Sequence, residues 1–337
     1  MKQGEKNWTP TLQRVSERIR EGFLSFEKKI VIDEDISIEE LQQAWGKVSK
    51  DGHDLFYVDF GHIEMTKSAK GVIIPAKYRY PEALCRQKAK QLQDLRFAVW
   101  QDFPGGTDAE KTEFIHDYLA EHVRYDYAAA RNTSVPGPAY TIEGPLLDGM
   151  GVCSGIARSA SFLLSGTGVE SLVISGMAAE ESSELSAGNP GHAWNLNLLK
   201  SGNYHMDITW DLGELSPLQT VLHQYCNIDD ETIAQNHDWD YLSYPAARGL
   251  EDNYYIRRNL YFRTRTALQK YARKCFAERK KVFSFRLDPC AGFPDDGGAR
   301  VAGELAAFAS SASGRKVSLR YTFHSTILVM TVLAEYS

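Results

Sequence analysis

Chemistry in this chain begins at Cys153, in the stretch Gly149-Met150-Gly151-Val152-Cys153-Ser154-Gly155. Ile156, Ala160, Leu163 and Leu164 follow at helical spacing, which places Cys153 in the first turn of a buried helix. Unpaired backbone N–H groups point outward there and the helix dipole favours an anion. A thiol in such a place is acidified toward the thiolate, the form that attacks carbonyls.

A nucleophilic thiolate needs a base, and the base needs an orienting group. His192 lies in the alternating run Gly191-His192-Ala193-Trp194-Asn195-Leu196-Asn197-Leu198. A turn at Lys200-Ser201-Gly202 leads to a second alternating run, Asn203-Tyr204-His205-Met206-Asp207-Ile208-Thr209-Trp210-Asp211. The two runs predict a β-hairpin. With the turn centred between Lys200 and Ser201, His192 faces Thr209, and Asp207 and Asp211 are its two diagonal neighbours on the same face. Diagonal Cβ atoms lie roughly 7 Å apart, within reach of long side chains. A slip of one residue would put His192 on the opposite face from both. Spacing alone leaves Asp207 and Asp211 open as orienting groups.

Three motifs, in order, carry a resemblance. Gly-Val-Cys-Ser-Gly before an apolar helix, His-Ala-Trp-Asn on a strand, and Tyr-x-x-Asp-x-Thr-Trp-Asp on the next resemble the transglutaminase-like core, a relative of the papain-like cysteine proteases. The resemblance spans about residues 107–240. It implies a triad of Cys153, His192 and Asp207, and so favours Asp207 over Asp211. It also implies an α+β fold, in which the nucleophile helix packs on an antiparallel sheet. The expected reaction is acyl transfer through a thioester, with a peptide or protein as substrate and no metal or organic cofactor.

Hydrolysis, by a peptidase or amidase, is favoured over transamidation to an amine. No D-x-D-x-D-G calcium loop is present. The backbone N–H of Cys153 is the first expected oxyanion donor. Trp194 and Tyr127 are offered as the second donor, and Tyr140 and Thr141 as cleft contacts. Two other readings compete: a non-cleaving peptide-binding scaffold, and a metal site built from Cys153, His192, His205 and Asp207, whose spacing fits no common zinc pattern.

Elements that must position these residues follow from periodicity and caps. An α+β lead-in is expected over residues 1–105, the catalytic core over 106–245 and a C-terminal α+β unit over 254–337. In the lead-in, helices are predicted at 9–23, after the capping box Ser37-x-x-Glu40, and at 82–101. Strands are predicted at 29–33 and 55–60, with a hairpin from 62–67 and 72–80. Thr107-x-x-Glu110 caps the helix before the Cys153 helix, and its His116 and His122 are read as structural. Loops at 131–148 and 176–191 are expected to wall the cleft, the second carrying Glu180, Glu181 and Glu184. His237 is read as structural. The C-terminal unit is expected as helix, strand, helix and two strands, the last of them buried.

Composition bounds the rest. In 337 residues, 43% apolar and 24% charged content is that of a globular chain, and the net charge of −6 weighs against a general nucleic-acid binder. No apolar run approaches the roughly 18 residues of a membrane span, so no membrane partner is expected. Five widely spaced cysteines without a C-x-x-C pair suit a reducing compartment. The polar first residues show no leader. The cytoplasm is the expected compartment, with secretion the alternative if a leader has been removed.

Overall fold

A computed structural model of the chain describes residues 9–61, 65–68, 71–132, 137–179, 191–292, 296 and 298–337. Glu180, Glu181 and Glu184, named above, lie outside the described residues, as do parts of the expected 62–67 strand and 131–148 loop. The architecture is α+β, with the helix that carries Cys153 packed on an antiparallel sheet.

The lead-in opens with α1 (Pro10–Leu24), β1 (Lys29–Ile32) and α2 (Ile38–Asp51). Leu12, Val15, Ile19 and Phe23 form the buried stripe of α1. Ser37 and Glu40 close the capping box of α2. Strands β2 (Thr66–Ser68) and β3 (Gly71–Pro75) complete a three-stranded antiparallel sheet in the order β1-β3-β2. The strand expected over 55–60 does not form. Leu55, Phe56, Tyr57 and Val58 are all buried, which a half-exposed strand could not achieve; they coil as a tight turn in which Val58 N–H donates to Leu55 O. Val58 keeps one isolated bridge, to Tyr78. Helix α3 (Glu82–Gln101) then leads to the core.

The core begins with α4 (Asp108–His122), opened by the Thr107–Glu110 capping box. Next come β4 (Arg124–Tyr125), α5 (Tyr127–Arg131), β5 (Met150–Gly151) and α6 (Cys153–Leu164), which begins at Cys153. The segment expected as a loop before α6 is partly wound, with a 3-10 turn at Pro138–Tyr140 and a π-helical turn at Gly144–Asp148. Gly149 closes that turn at φ 66°, a left-handed conformation that glycine adopts without steric cost.

Five antiparallel strands lie beneath α6: β6 (Glu170–Ala178), β7 (Gly191–Leu198), β8 (Asn203–Met206), β9 (Cys226–Ile228) and β10 (His237–Asp238), in the order β10-β6-β7-β8-β9. Between them come α7 (Ile208–Asp211), after β8, and α8 (Asp230–Ile233), after β9. Residues 176–178, expected as loop, extend β6, where Gly176 pairs with His192. Pairing of β7 with β8 has the expected register, Asn195 with Met206 and Leu196 with His205. The ladder ends at that point. Thr209 does not face His192, because residues 208–211 turn into α7 and Asp207 caps it by accepting from Trp210 N–H.

After α9 (Tyr254–Arg257), the C-terminal unit holds β11 (Tyr261–Phe262), α10 (Arg265–Ala277), β12 (Val282–Leu287), α11 (Ala299–Ser313), β13 (Val317–His324) and β14 (Val329–Tyr336). Its sheet runs β11-β12-β14-β13. One apolar cluster extends from Leu12 of α1 to Leu212 beyond α7, so the lead-in and the core share an interior. A second cluster fills the C-terminal unit. A third joins the two parts: Ile327 and Val329 pack with Ile174, Trp194, Leu196 and Tyr225 of the core. No helix among the described residues is long and apolar enough to cross a membrane.

Candidate active site

Cys153 is the first residue of α6 and is partly exposed. Bonding within the helix starts with Ile156 N–H to Val152 O, so the N–H groups of Cys153, Ser154 and Gly155 precede the regular ladder. Gly155 lets this helix start press against the 139–141 backbone, since a Cβ there would lie 2.1 Å from Ala139 O. Asn195 fixes the helix to the sheet: its amide donates to Ala157 O at 2.9 Å and Ser161 Oγ at 3.0 Å from the centre of β7.

His192, near the start of β7, has its Nε2 2.6 Å from Asp207 Oδ2. That leaves Nδ1 for the Cys153 thiol, which interacts with the ring and raises it. The three side chains thus stand in series, thiol to imidazole to carboxylate. Burial pushes the His192 imidazole down, but Asp207 and Cys153 overcome it and hold the ring up at about 10. Asp207 is fully buried; burial alone would raise its carboxyl, yet His192 and His237 hold it well below the usual carboxylate range.

The remaining residues named from the sequence are placed as follows. Trp194 is buried and lies roughly parallel to the His192 ring, with centroids 5.9 Å apart. Its indole N–H is committed to His205 Nδ1 at 3.0 Å, so it is no oxyanion donor. Tyr127 is exposed on α5 and meets Tyr125 edge-on. Tyr125 itself, not singled out from the sequence, is a nearer neighbour of Cys153; burial first, then Cys153, pushes its phenol up to about 12. Tyr140 also senses Cys153, though its hydroxyl donates to Ala129 O at 2.9 Å.

Asp211 is drawn into a different cluster. Its carboxylate bonds His116 Nε2 at 3.1 Å and accepts from the N–H groups of Gln224 and Tyr225. His205 donates to Asp230 and accepts from Trp194, so it stands apart from the set proposed as a metal site.

His237, on β10, was read from the sequence as structural. Its Nε2 lies 3.1 Å from the same Asp207 Oδ2 that binds His192. The only sequence signal is a histidine trailing the 225–231 segment, and nothing local shows that β10 pairs with the end of β6 beside the site. Among the described residues, two groups have ligand atoms within 4.8 Å of one another and could hold a metal ion: His192, Asp207 and His237, and His116, Asp117 and His223. In both, the atoms that would face an ion already hydrogen-bond one another.

Residues 99–208 match the family model described as the transglutaminase-like superfamily. Among solved structures the chain is similar to a TGase, at 12% identity and a TM-score of 0.31, over 56% of this chain and 51% of that one. It is also similar to a protein of Cytophaga hutchinsonii described as a candidate cysteine protease, at 12% identity and a TM-score of 0.29, over 56% of this chain and 70% of that one. The chain thus spans about half the length of the TGase. No curated protein matches the sequence. Residues 99–208, which include Cys153, His192 and Asp207, are thus similar to the transglutaminase-like superfamily.

Proposed function

We propose that the protein is a thiol-dependent acyl-transfer enzyme with Cys153 as nucleophile, His192 as base and acid, and Asp207 as the orienting carboxylate. The observation that carries this reading is the grouping itself: a thiol at a helix start interacts with an imidazole whose Nε2 is held 2.6 Å from a buried carboxylate.

The Cys153 proton passes to His192 Nδ1, and the thiolate attacks the carbonyl carbon of a peptide or side-chain amide. The carbonyl π pair moves to oxygen, where the N–H groups at the start of α6 are oriented to receive it. When the pair returns, the C–N bond breaks and the amine leaves with the proton from His192. The thioester that remains is attacked by water, which gives its proton to His192, and the acid and free thiol are released. Asp207 stays ionised throughout and fixes the imidazole orientation.

Hydrolysis is the preferred outcome, and transfer to a lysine-type amine is the alternative. Incubating the protein with a casein substrate, with and without a fluorescent primary amine, separates the two. Release of new peptide termini, with little amine incorporation and loss of both in Cys153→Ala, is expected. Incorporation exceeding cleavage would move the assignment to transamidation. No Cys153-dependent product of either kind would leave the binding-scaffold reading.

A further inference from the structure

Asp207 Oδ2 serves two imidazoles, and the second is the end of a buried chain. His237 Nδ1 lies 2.8 Å from the Asn236 amide, whose other arm lies 2.7 Å from Tyr225 Oη. Tyr225 Oη lies 2.8 Å from His324 Nε2, at the end of β13 in the C-terminal unit. Ile327 N–H, in the β13–β14 turn, donates to His324 Nδ1 at 3.4 Å. Tyr225, Asn236, His237 and Asp207 are all fully buried.

The donors and acceptors settle the chain's polarity. Ile327 N–H makes His324 Nδ1 an acceptor, so a neutral ring carries its proton on Nε2 and donates to Tyr225. Tyr225 must then donate onward to the Asn236 amide oxygen. As placed, the amide points its nitrogen at Tyr225 and its oxygen at His237. That arrangement asks His237 for a proton on both nitrogens, and leaves Tyr225 competing with Ile327 over the protonation of His324.

Turned by 180°, the amide accepts from Tyr225 and donates to His237 Nδ1, and every group is satisfied without a buried cation. His237 then holds its proton on Nε2 and donates to Asp207. Burial pushes His237 down and outweighs the pull of Asp207, with His192 and His205 adding to the downward push. Burial likewise pushes His324 down to about 4, so both rings are neutral at neutral pH. The rings of Trp194, Trp210 and Tyr225 complete the wall around His237.

We propose that His237 is a positioning residue for Asp207, held in place by the C-terminal unit through the chain Asn236–Tyr225–His324. The other oxygen of Asp207 has only a long bond to Trp210 N–H, at 3.4 Å. Without the His237 N–H the carboxylate is free to turn away from His192, and the imidazole that serves Cys153 loses its partner. This proposal rests on the triad reading above and gives the C-terminal unit a part in the same site.

The test is the pH dependence of Cys153 alkylation by iodoacetamide in the full chain, read by mass spectrometry, for wild type, His237→Leu, His237→Gln and Tyr225→Phe. His237→Leu should slow the reaction at pH 6 by roughly tenfold or more and move the profile to higher pH. His237→Gln, whose amide can still donate to Asp207, should return to within about threefold of wild type. Tyr225→Phe removes one oxygen far from the thiol and should still shift the profile upward.

His237→Leu and Tyr225→Phe profiles that superimpose on wild type would overturn the proposal, as would a His237→Gln profile no better than His237→Leu. If His237→Leu does not fold, the Tyr225→Phe profile decides. A wild-type Cys153 inert at pH 6 would instead sink the triad reading itself.

Discussion

At the scale of single residues, the site separates two kinds of histidine–carboxylate pair. His192 and Asp207 join a partly exposed thiol, whereas His116, Asp117 and Asp211 form a closed electrostatic knot with no nucleophile. Asp207→Asn should leave the geometry nearly intact yet lower turnover roughly 10³-fold or more, because the amide selects the wrong imidazole tautomer. Steady-state kinetics on any substrate found checks this. The His116 knot predicts stability instead. Burial pushes His116 down, but Asp117 and Asp211 hold it up at about 10, while Asp117 is held well below the usual range.

A raised histidine pKa stabilises the fold fully below its unfolded value of about 6.5, and that contribution is lost as pH rises through the folded value. The depressed Asp117 contributes above about 4 and is lost as pH falls. His116→Ala should therefore cost about 3 kcal/mol between these limits, with the deficit shrinking toward pH 10. Urea unfolding at pH 5.5 and pH 9.5 reads the difference. The pairing of β7 with β8, which brings Asp207 to His192, was legible in the sequence because it depends on a local hairpin. His237 was not, because its role depends on a two-residue strand pairing with the end of β6.

Among the elements, α6 is fixed by two short contacts, one to β7 through Asn195 and one to the 139–141 backbone at Gly155. Gly155→Ala puts a methyl group against Ala139 O and should cost about 1–3 kcal/mol while shifting the helix start that carries Cys153. Asn195→Ala removes the clamp on Ala157 O and Ser161 Oγ and should cost about 1–3 kcal/mol. Thermal melts of both variants, alongside their Cys153 alkylation rates, check this; unchanged melting and reactivity would contradict it.

The same elements explain which features could be read in advance. Capping boxes at Ser37 and Thr107 and the β7–β8 register are local patterns, and they are found in the structure. The 55–60 segment failed because burial of four consecutive side chains, Leu55 to Val58, overrode its β propensity. The strand expected through 209 stops at Met206 because Asp207 turns its side chain back to cap α7.

Taken whole, the molecule closes the C-terminal unit onto the core at the turn between β13 and β14. Ile327 is buried beside Trp194 and Tyr225, and Glu113 of α4 accepts from both Arg257 and Arg258. These contacts predict cooperative loss of both parts. Ile327→Ala should cost about 2–5 kcal/mol, and denaturation should stay a single transition by tryptophan fluorescence and by circular dichroism. Two separated transitions in the wild type would contradict the shared interior. Such long-range packing was not legible in the sequence: the buried last strand was expected, but what it meets, and that His324 reaches Tyr225, depends on tertiary contact.

The most direct measurement of the central claim is the rate of Cys153 alkylation by iodoacetamide against pH, in wild type and in His192→Ala. A thiolate–imidazolium pair should make Cys153 react at pH 6 far faster than the exposed Cys290, and His192→Ala should abolish the difference. A Cys153 that reacts no faster than Cys290 at pH 6, or one that keeps its rate without His192, would contradict the assignment of Cys153 as an activated nucleophile.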